Sequence, residues 1–308
     1  MMLIACAAPA ACSRVTGLPA VPASVTRREA GLDGIERWAG EARALAQGRI
    51  DGSDGSAEMR RLAALVEAHP EDLVTGNAFR MQVYRMKREF LAAARGRGER
   101  SPAFPADLAG EPLATLLRAE SAHPTKELGV QIALAHVDRM MLDPALEVRA
   151  PASIDSVHAF DGVLASAPYD VPALVGRGLN HLNRPRKLVW PEHPAPPEDA
   201  ASRDLALAAA VGAKAGGASP RVKGLLLLLL GDAYAHEGKA ELARSWWLLA
   251  GESTDDRGVR EELRIRAGWP ETEMVDRLEA RLEERMETVE APVSDLSFLW
   301  DDGARGPW

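Results

Sequence analysis

The chain has little cysteine, few aromatic residues and no period-two runs of β-branched residues, and each shortage excludes something. Of 308 residues only two are cysteine, Cys6 and Cys12, and aromatics make up 5%. Everything beyond Cys12 therefore folds without a disulfide, a thiolate metal site or a cysteine nucleophile. Basic charge is also short. Against 45 Asp and Glu there are 37 Lys and Arg, and the net charge of −8 argues against a general affinity for nucleic acid or for an anionic membrane surface. The longest leucine run, Leu225 to Leu230, is six residues, whereas a bilayer-spanning helix needs about 20. Catalytic signatures are missing as well: Gly-x-Ser-x-Gly, His-Glu-x-x-His, a Walker loop and Gly-x-Gly-x-x-Gly do not occur. Asp51-Gly52-Ser53-Asp54-Gly55 lacks the alternating oxygen ligands of a calcium loop and reads as a turn followed by a helix cap. The seven histidines are scattered singly, and His69 and His123 occupy equivalent junctions, which favours structural roles. No catalytic residue, metal site or cofactor is expected, and the chain does not read as an enzyme.

What is present is helical periodicity. With 46% hydrophobic residues the chain can bury a substantial core, and from Leu32 onward amphipathic segments alternate with Pro and Gly breaks. Pro70, Pro124, Pro168 and Pro220 mark similar junctions at intervals of 54, 44 and 52 residues. Each is placed to end one helix and open another, because the residue before proline is pushed out of the helical region and proline itself is tolerated in a first helical turn. The pattern predicts an all-α fold with helix pairs near 33–48/55–69, 71–95/106–122, 125–142/152–167, 170–183/198–216 and 221–237/239–252. A short helix near 257–267 and a longer one over 271–290 follow. Met274, Leu278, Leu282, Met286 and Val289 form a stripe on the last helix, as on a cap that meets the core on one side and water on the other.

Residues 224–257 carry Leu227, Leu230, Gly231 and Tyr234 on the first helix of a pair and Ala243, Trp247 and Ala250 on the second. At this spacing the unit resembles the tetratricopeptide repeat, with Asp255 where the family closes on proline. Small residues at Gly231, Ala243 and Ala250 suit close helix approach, and Tyr234 and Trp247 fill the space between successive pairs. Weaker matches are Phe160, Val163 and Pro168; Leu116, Ala119 and Pro124; and Leu62, Leu65 and Pro70. Gly178 keeps the small residue of the first helix, whereas Arg80 and Leu134 replace it. The resemblance implies a right-handed α-solenoid of such pairs over 31–257, C-terminal capping helices over 258–292 and a tail over 293–308. It also implies a protein or peptide partner. Carrying over the family's groove positions selects Asn77, Met81, Tyr84, Arg85, Gln131, Asp138, Arg139, Asn183, Asp232 and His236. They do not match the Lys/Asn clamp by which some relatives hold a terminal carboxylate.

The extra length per repeat falls at Gly96 to Pro105, Asp143 to Pro151 and Arg184 to Pro197, which on a solenoid share one edge. This rim carries Arg97, Arg100 and Phe104, then Arg149, then Arg184, Arg186, Lys187, Trp190 and His193. Long loops on a rigid scaffold often carry binding function, and Arg and Trp often anchor interfaces. Rim and groove are both candidate surfaces. Phe79, Val83, Met86 and Phe90 form a buried stripe that leaves Arg80, Lys87 and Arg88 on a basic face, which either is solvated or holds an acidic partner or phosphate. Phe298, Leu299 and Trp300 dock either on the last helix or on a partner, and both alternatives stand.

The first residues, MMLIACAAPAACSRVTGLPAVPAS, join an apolar stretch to an Ala/Pro segment. Leu3-Ile4-Ala5-Cys6 resembles a bacterial lipobox. That resemblance implies lipid on Cys6 or Cys12, a leader and flexible tether over 1–30, and an address on the periplasmic side of the cell envelope. The expected function is a non-catalytic adaptor that holds a protein or peptide there, with membrane contact only through the lipid. The alternatives are a subunit that binds a small anion between Arg149, Arg186 and His193, or a cytoplasmic regulator or enzyme on a degenerate helical scaffold.

Overall fold

The computed structural model describes residues 18–32, 55–99, 104–143, 146–184, 197–215, 218–287 and 292–300. Among them every regular element is helical. The helices are α1 (Gly55–Ala68), α2 (Leu73–Gly96), α3 (Ala106–Ala122), α4 (Lys126–Leu142), α5 (Leu146–Ser166), α6 (Val171–Leu182), α7 (Ala200–Lys214), α8 (Pro220–His236), α9 (Ala240–Ser253), α10 (Arg257–Ala267) and α11 (Met274–Glu287). Short 3-10 turns lie at Glu271–Glu273 and Ser297–Leu299. No helix here is long and apolar enough to cross a membrane.

The helix boundaries follow local chemistry. α1, α3 and α5 stop at Ala68, Ala122 and Ser166, which leaves one non-helical residue before Pro70, Pro124 and Pro168. Each following helix has a side-chain cap on an N–H that would otherwise lack a partner. Asp72 accepts from the Val74 N–H at 2.9 Å, Thr125 Oγ1 from Leu128 at 3.1 Å, and Asp170 from Ala173 at 3.1 Å. Ser219 caps Val222 at 3.2 Å, and only here does the junction proline, Pro220, occupy the first helical position. The other three sit in the turn ahead of the cap.

Two expectations need correction. α5 begins at Leu146 and carries Pro151 inside it, so the expected loop over 143–151 is much shorter and Arg149 is a helical residue. Pro151 is tolerated because it lies barely past the four N–H groups that have no intrahelical partner, and its ring forgoes a single backbone bond. The stretch ahead of Leu32, read as part of a flexible tether, is fastened to the helices from Leu18 on. Ala30 C=O accepts from the Val171 N–H at 2.9 Å, and Arg28 C=O accepts from Lys126 Nζ at 3.1 Å. Lys214 Nζ bonds Val21 C=O, while Ala30 and Leu32 join the core. Gly31 has φ +67°, and a Cβ there would stand 2.5 Å from an Asp170 carboxylate oxygen, so both the conformation and the close approach call for glycine. Lipidation at Cys6 or Cys12 and the helix expected over 33–48 lie outside the described residues.

From α1 to α10 consecutive helices pack on one another, α2, α4, α6 and α8 also touch in series, and α11 packs on α8. One apolar cluster joins α1 to α4; a larger one runs from α4 to α11 and includes Leu296, Phe298 and Leu299. α4 is buried on both sides, and α8 is apolar nearly all round because it lies at the centre of the larger cluster. The close approach expected at Gly231 is present: a Cβ would meet Trp247 Nε1 at 2.5 Å and the Ala243 carbonyl at 3.1 Å. Trp247 has no room to yield, since its Nε1 donates to Asp232 at 3.0 Å and its ring stands edge-on to Trp269 at 5.9 Å.

A matched pair of substitutions separates this contact from helix propensity. Gly231→Ala is expected to lower stability by about 1–3 kcal/mol through overpacking. Gly110→Ala, inside α3 with nothing within 4 Å of the new methyl, is expected to raise it by up to about 1 kcal/mol. Urea denaturation followed by circular dichroism measures both.

Candidate functional site

On α2, Asn77, Arg80 and Tyr84 stand three and four residues apart and so share one face; Gln131 and Asp138, seven apart, share one on α4. The two faces meet around the Arg80 guanidinium, which is fully buried. A buried charge is tolerable only when its hydrogen-bonding capacity is met. Arg80 Nε donates to Gln131 Oε1 at 2.6 Å, Nη1 to Asp138 Oδ2 at 2.7 Å, and Nη2 to Asn77 Oδ1 at 2.9 Å. Gln131 is held by its own bond to Leu73 C=O at 3.1 Å, and Tyr84 donates to Asp138 Oδ1 at 3.0 Å. Burial, followed by the Asp138 charge, pushes the Tyr84 phenol well above its ordinary value, so it remains a donor.

A segment from the far end of the sequence lies on this face. Arg80 Nη2 also donates to Ser294 C=O at 2.9 Å, and Asn77 Oδ1 accepts from the Leu296 N–H at 3.3 Å. Asn77 Nδ2 donates to Asp295 Oδ1 at 2.9 Å, and Ser294 Oγ bonds Asp138. The segment is turned: Asp295 N–H returns to Pro292 C=O at 3.0 Å, and Asp295 Oδ1 caps the Ser297 N–H at 2.9 Å. Leu296 and Phe298 are fully buried and Leu299 nearly so. The two alternatives for Phe298 and Leu299 resolve to docking within the chain, on a core far wider than the last helix.

Of the groove positions, the fold unites Asn77, Tyr84, Gln131 and Asp138. Met81 packs against the smaller core, and Arg85 stands 3.7 Å from Glu89 along the same helix. Arg139 is elsewhere, lining a cleft of about 290 Å³ against α3 with Leu113 and Leu117. Asn183 is buried at the end of α6 and donates to Leu179 C=O at 2.8 Å. His236 is half-buried at the C-terminal end of α8. Asp232 does not face an open groove: its carboxylate takes both Nε and Nη2 of buried Arg266, at 2.6 and 2.7 Å. Burial alone would draw the Arg266 proton off, but Asp232 and Glu262 more than offset this and hold the guanidinium charged.

Of the rim residues the structure describes Arg97, Phe104, Arg149 and Arg184. Arg97 is exposed and paired with Glu99 at 2.7 Å. Phe104 folds back onto Phe90, edge-to-face at 5.8 Å, so it serves the scaffold. Arg149 is half-buried on α5. Arg184 lines a cleft of about 280 Å³ between α5, α6 and α7, with His158, Arg177, His181 and Arg203. Arg177 there is committed to both oxygens of Asp204, at 2.8 and 2.7 Å, and to Asp161 at 2.5 Å. Arg100, Arg186, Lys187, Trp190 and His193 lie outside the described residues. Among the described residues no cluster of His, Cys, Asp and Glu could hold a metal ion.

The residue that the sequence reading placed on a basic face, Arg80, is the centre of the site, and the Ser294-Asp295 pair was not singled out. A signal existed for the first. Arg80 stands beside buried Phe79 and Val83, where a charge needs a partner of opposite sign, and Asp138 follows 58 residues on.

Arg80→Met would strand the Asp138 carboxylate, and a loss of about 3–5 kcal/mol is expected. Arg80→Lys should recover only part of it, because an ammonium cannot reach four separated acceptors in the guanidinium's planar fork. Chemical denaturation gives both values. Burial lowers the proton affinity of His181, and of His136. Above the ordinary histidine value of about 6.5 both states are neutral. Below it the unfolded chain takes up protons that the folded chain resists, so stability should fall from pH 7 towards 5.5. His181→Asn should flatten that slope, as read from denaturation midpoints across the interval.

No protein-family model, curated protein or solved structure matches the chain, which leaves the inner-face geometry to carry the functional reading.

Proposed function

We propose that the protein is a non-catalytic scaffold, an α-solenoid of tetratricopeptide-like pairs, that holds a short peptide segment of a partner on the inner face of α2 and α4. One observation carries this reading. Asn77 and Arg80 contact main-chain atoms of residues 294–296, the Leu296 N–H and the Ser294 C=O, as well as one side chain. Groups that bond to main chain accept many sequences, and an adjoining apolar hollow then selects among them. Serial contact among α2, α4, α6 and α8 supports the solenoid, as do the glycines at close approaches. A Cβ at Gly176 would meet Phe160 at 2.5 Å, and one at Gly178 would meet Leu205 at 2.9 Å. Stacked pairs of this kind offer a long inner surface because each pair depends only on its neighbours. The lipobox-like leader supports a place at the periplasmic side of the cell envelope, with lipid on Cys6 or Cys12.

Selection of a random peptide library on the full chain tests the reading. Enriched peptides should bind the wild type and lose at least about tenfold in affinity for Asn77→Ala, which removes one donor and one acceptor. Enriched peptides indifferent to that change, or no enrichment, would overturn the inner-face reading.

A further inference from the structure

The inner face is already occupied by this chain's own residues 292–300, and two features mark that segment as a ligand seated in a ready-made site. The first is that the ion pair at the centre of the site is satisfied without it. With the segment removed, Arg80 retains Gln131, Asp138 and Asn77, Asp138 retains Arg80 and Tyr84, and Gln131 retains Leu73 C=O. Neither Arg80 nor Asp138 depends on the segment for its only partner, so the ion pair keeps its shape when the segment leaves. The second is the division of labour within the segment. Ser294, Asp295 and the Leu296 N–H make the polar contacts, while Leu296, Phe298 and Leu299 enter the apolar core. Departure without replacement would open an apolar hollow to water, which is costly. Exchange for a segment with its own apolar residues restores the burial.

Resting on the peptide-binding reading, we infer that residues 292–300 are an intramolecular competitor and that the partner is a protein segment of the same chemistry. Its polar half is a turn that ends in a small hydroxyl residue followed by aspartate, which meets the Asn77 amide beside the Arg80 charge. Its apolar half presents large residues one, three and four positions after the aspartate, with an aromatic at the third. The pattern in this chain is Pro-Val-Ser-Asp-Leu-Ser-Phe-Leu, residues 292–299. Occupancy by the competitor sets a threshold: the partner binds according to the difference between its own affinity and the segment's, as the thermodynamics of a pre-filled site require.

The test uses a fluorescent synthetic peptide of residues 291–300, titrated into the full chain and into full chains carrying Phe298→Ala or Asp295→Ala. Loss of the buried ring weakens the internal competitor strongly, and the peptide is expected to bind Phe298→Ala about a hundredfold more tightly than wild type. Asp295→Ala removes the bonds to Asn77 and to the Ser297 N–H, and about fivefold tighter binding is expected. Adding Asn77→Ala to either chain should reverse the gain, and a peptide with alanine for the aspartate should bind more weakly to both. Circular dichroism verifies folding; where Phe298→Ala does not fold, the milder Asp295→Ala decides. Equal peptide affinity for wild type and substituted chains, or no peptide binding to a folded substituted chain, would overturn the inference and show the segment to be ordinary core. If that happens while the library still yields Asn77-dependent peptides of another pattern, only the competitor fails. If no Asn77-dependent peptide exists, the peptide-binding reading fails with it.

Discussion

A guanidinium that has lost all contact with water has to be surrounded by acceptors, and much of this architecture answers that requirement at Arg80. The partners come from three places far apart in the chain: Asn77 one turn away, Gln131 and Asp138 on α4, and the Ser294 carbonyl. Satisfying one side chain thus fixes the rotation of α2 against α4 and marks where the C-terminal segment lies. Apolar packing alone tolerates sliding; an ion pair with four directed bonds does not. The same solution recurs at Arg266, clasped by Asp232 and Glu262, and in half-buried form at Arg177 between Asp204 and Asp161. Three arginines at successive stations tie helices that would otherwise meet only through small and aliphatic side chains.

Those aliphatic contacts depend on the scarcity of bulk noted in the composition. Glycine at 176, 178 and 231 lets a neighbouring Phe160, Leu205 or Trp247 lie directly on the helix backbone. Among the described residues several of the few aromatics pack in this way. Trp246 is buried with its ring stacked near Tyr234, and Trp247 and Trp269 pack edge-on beside Arg266. α4, buried on both sides, joins the two apolar clusters and carries the carboxylate that the inner face depends on.

How much of this the sequence disclosed depends on how local the cause is. Helix limits were legible because a proline and a capping side chain act within a few residues, and the Gly231 contact was legible because the partner tryptophan follows in the same helix pair. Pro151 misled, since a helix tolerates proline near its start as well as at its first position. Arg80 was misread for a different reason. Hydrophobic periodicity assigns any charge to the outer face, and only the presence of Asp138, 58 residues on, reverses the assignment. Four groove positions, Asn77, Tyr84, Gln131 and Asp138, do converge, but their burial beneath Ser294 could not be seen, because nothing in residues 292–300 announces which surface they cover. Arg139 and Asn183 followed the same positional rule and landed elsewhere.

The fastening of residues 18–32 has a mechanical side. The segment meets the helices through Val21 on Lys214, Arg28 on Lys126 and Ala30 on Val171, with Gly31 wedged against Asp170. These attachments are spaced along the strand of chain, so tension applied ahead of Leu18 loads them in succession, the Val21 contact first and the Ala30 contact last. Each attachment that yields would transfer the load inward, from the end of α7 at Lys214 to the starts of α4 and α6. A pull on the chain ahead of Leu18 would thus be shared among three attachments before it reached the core.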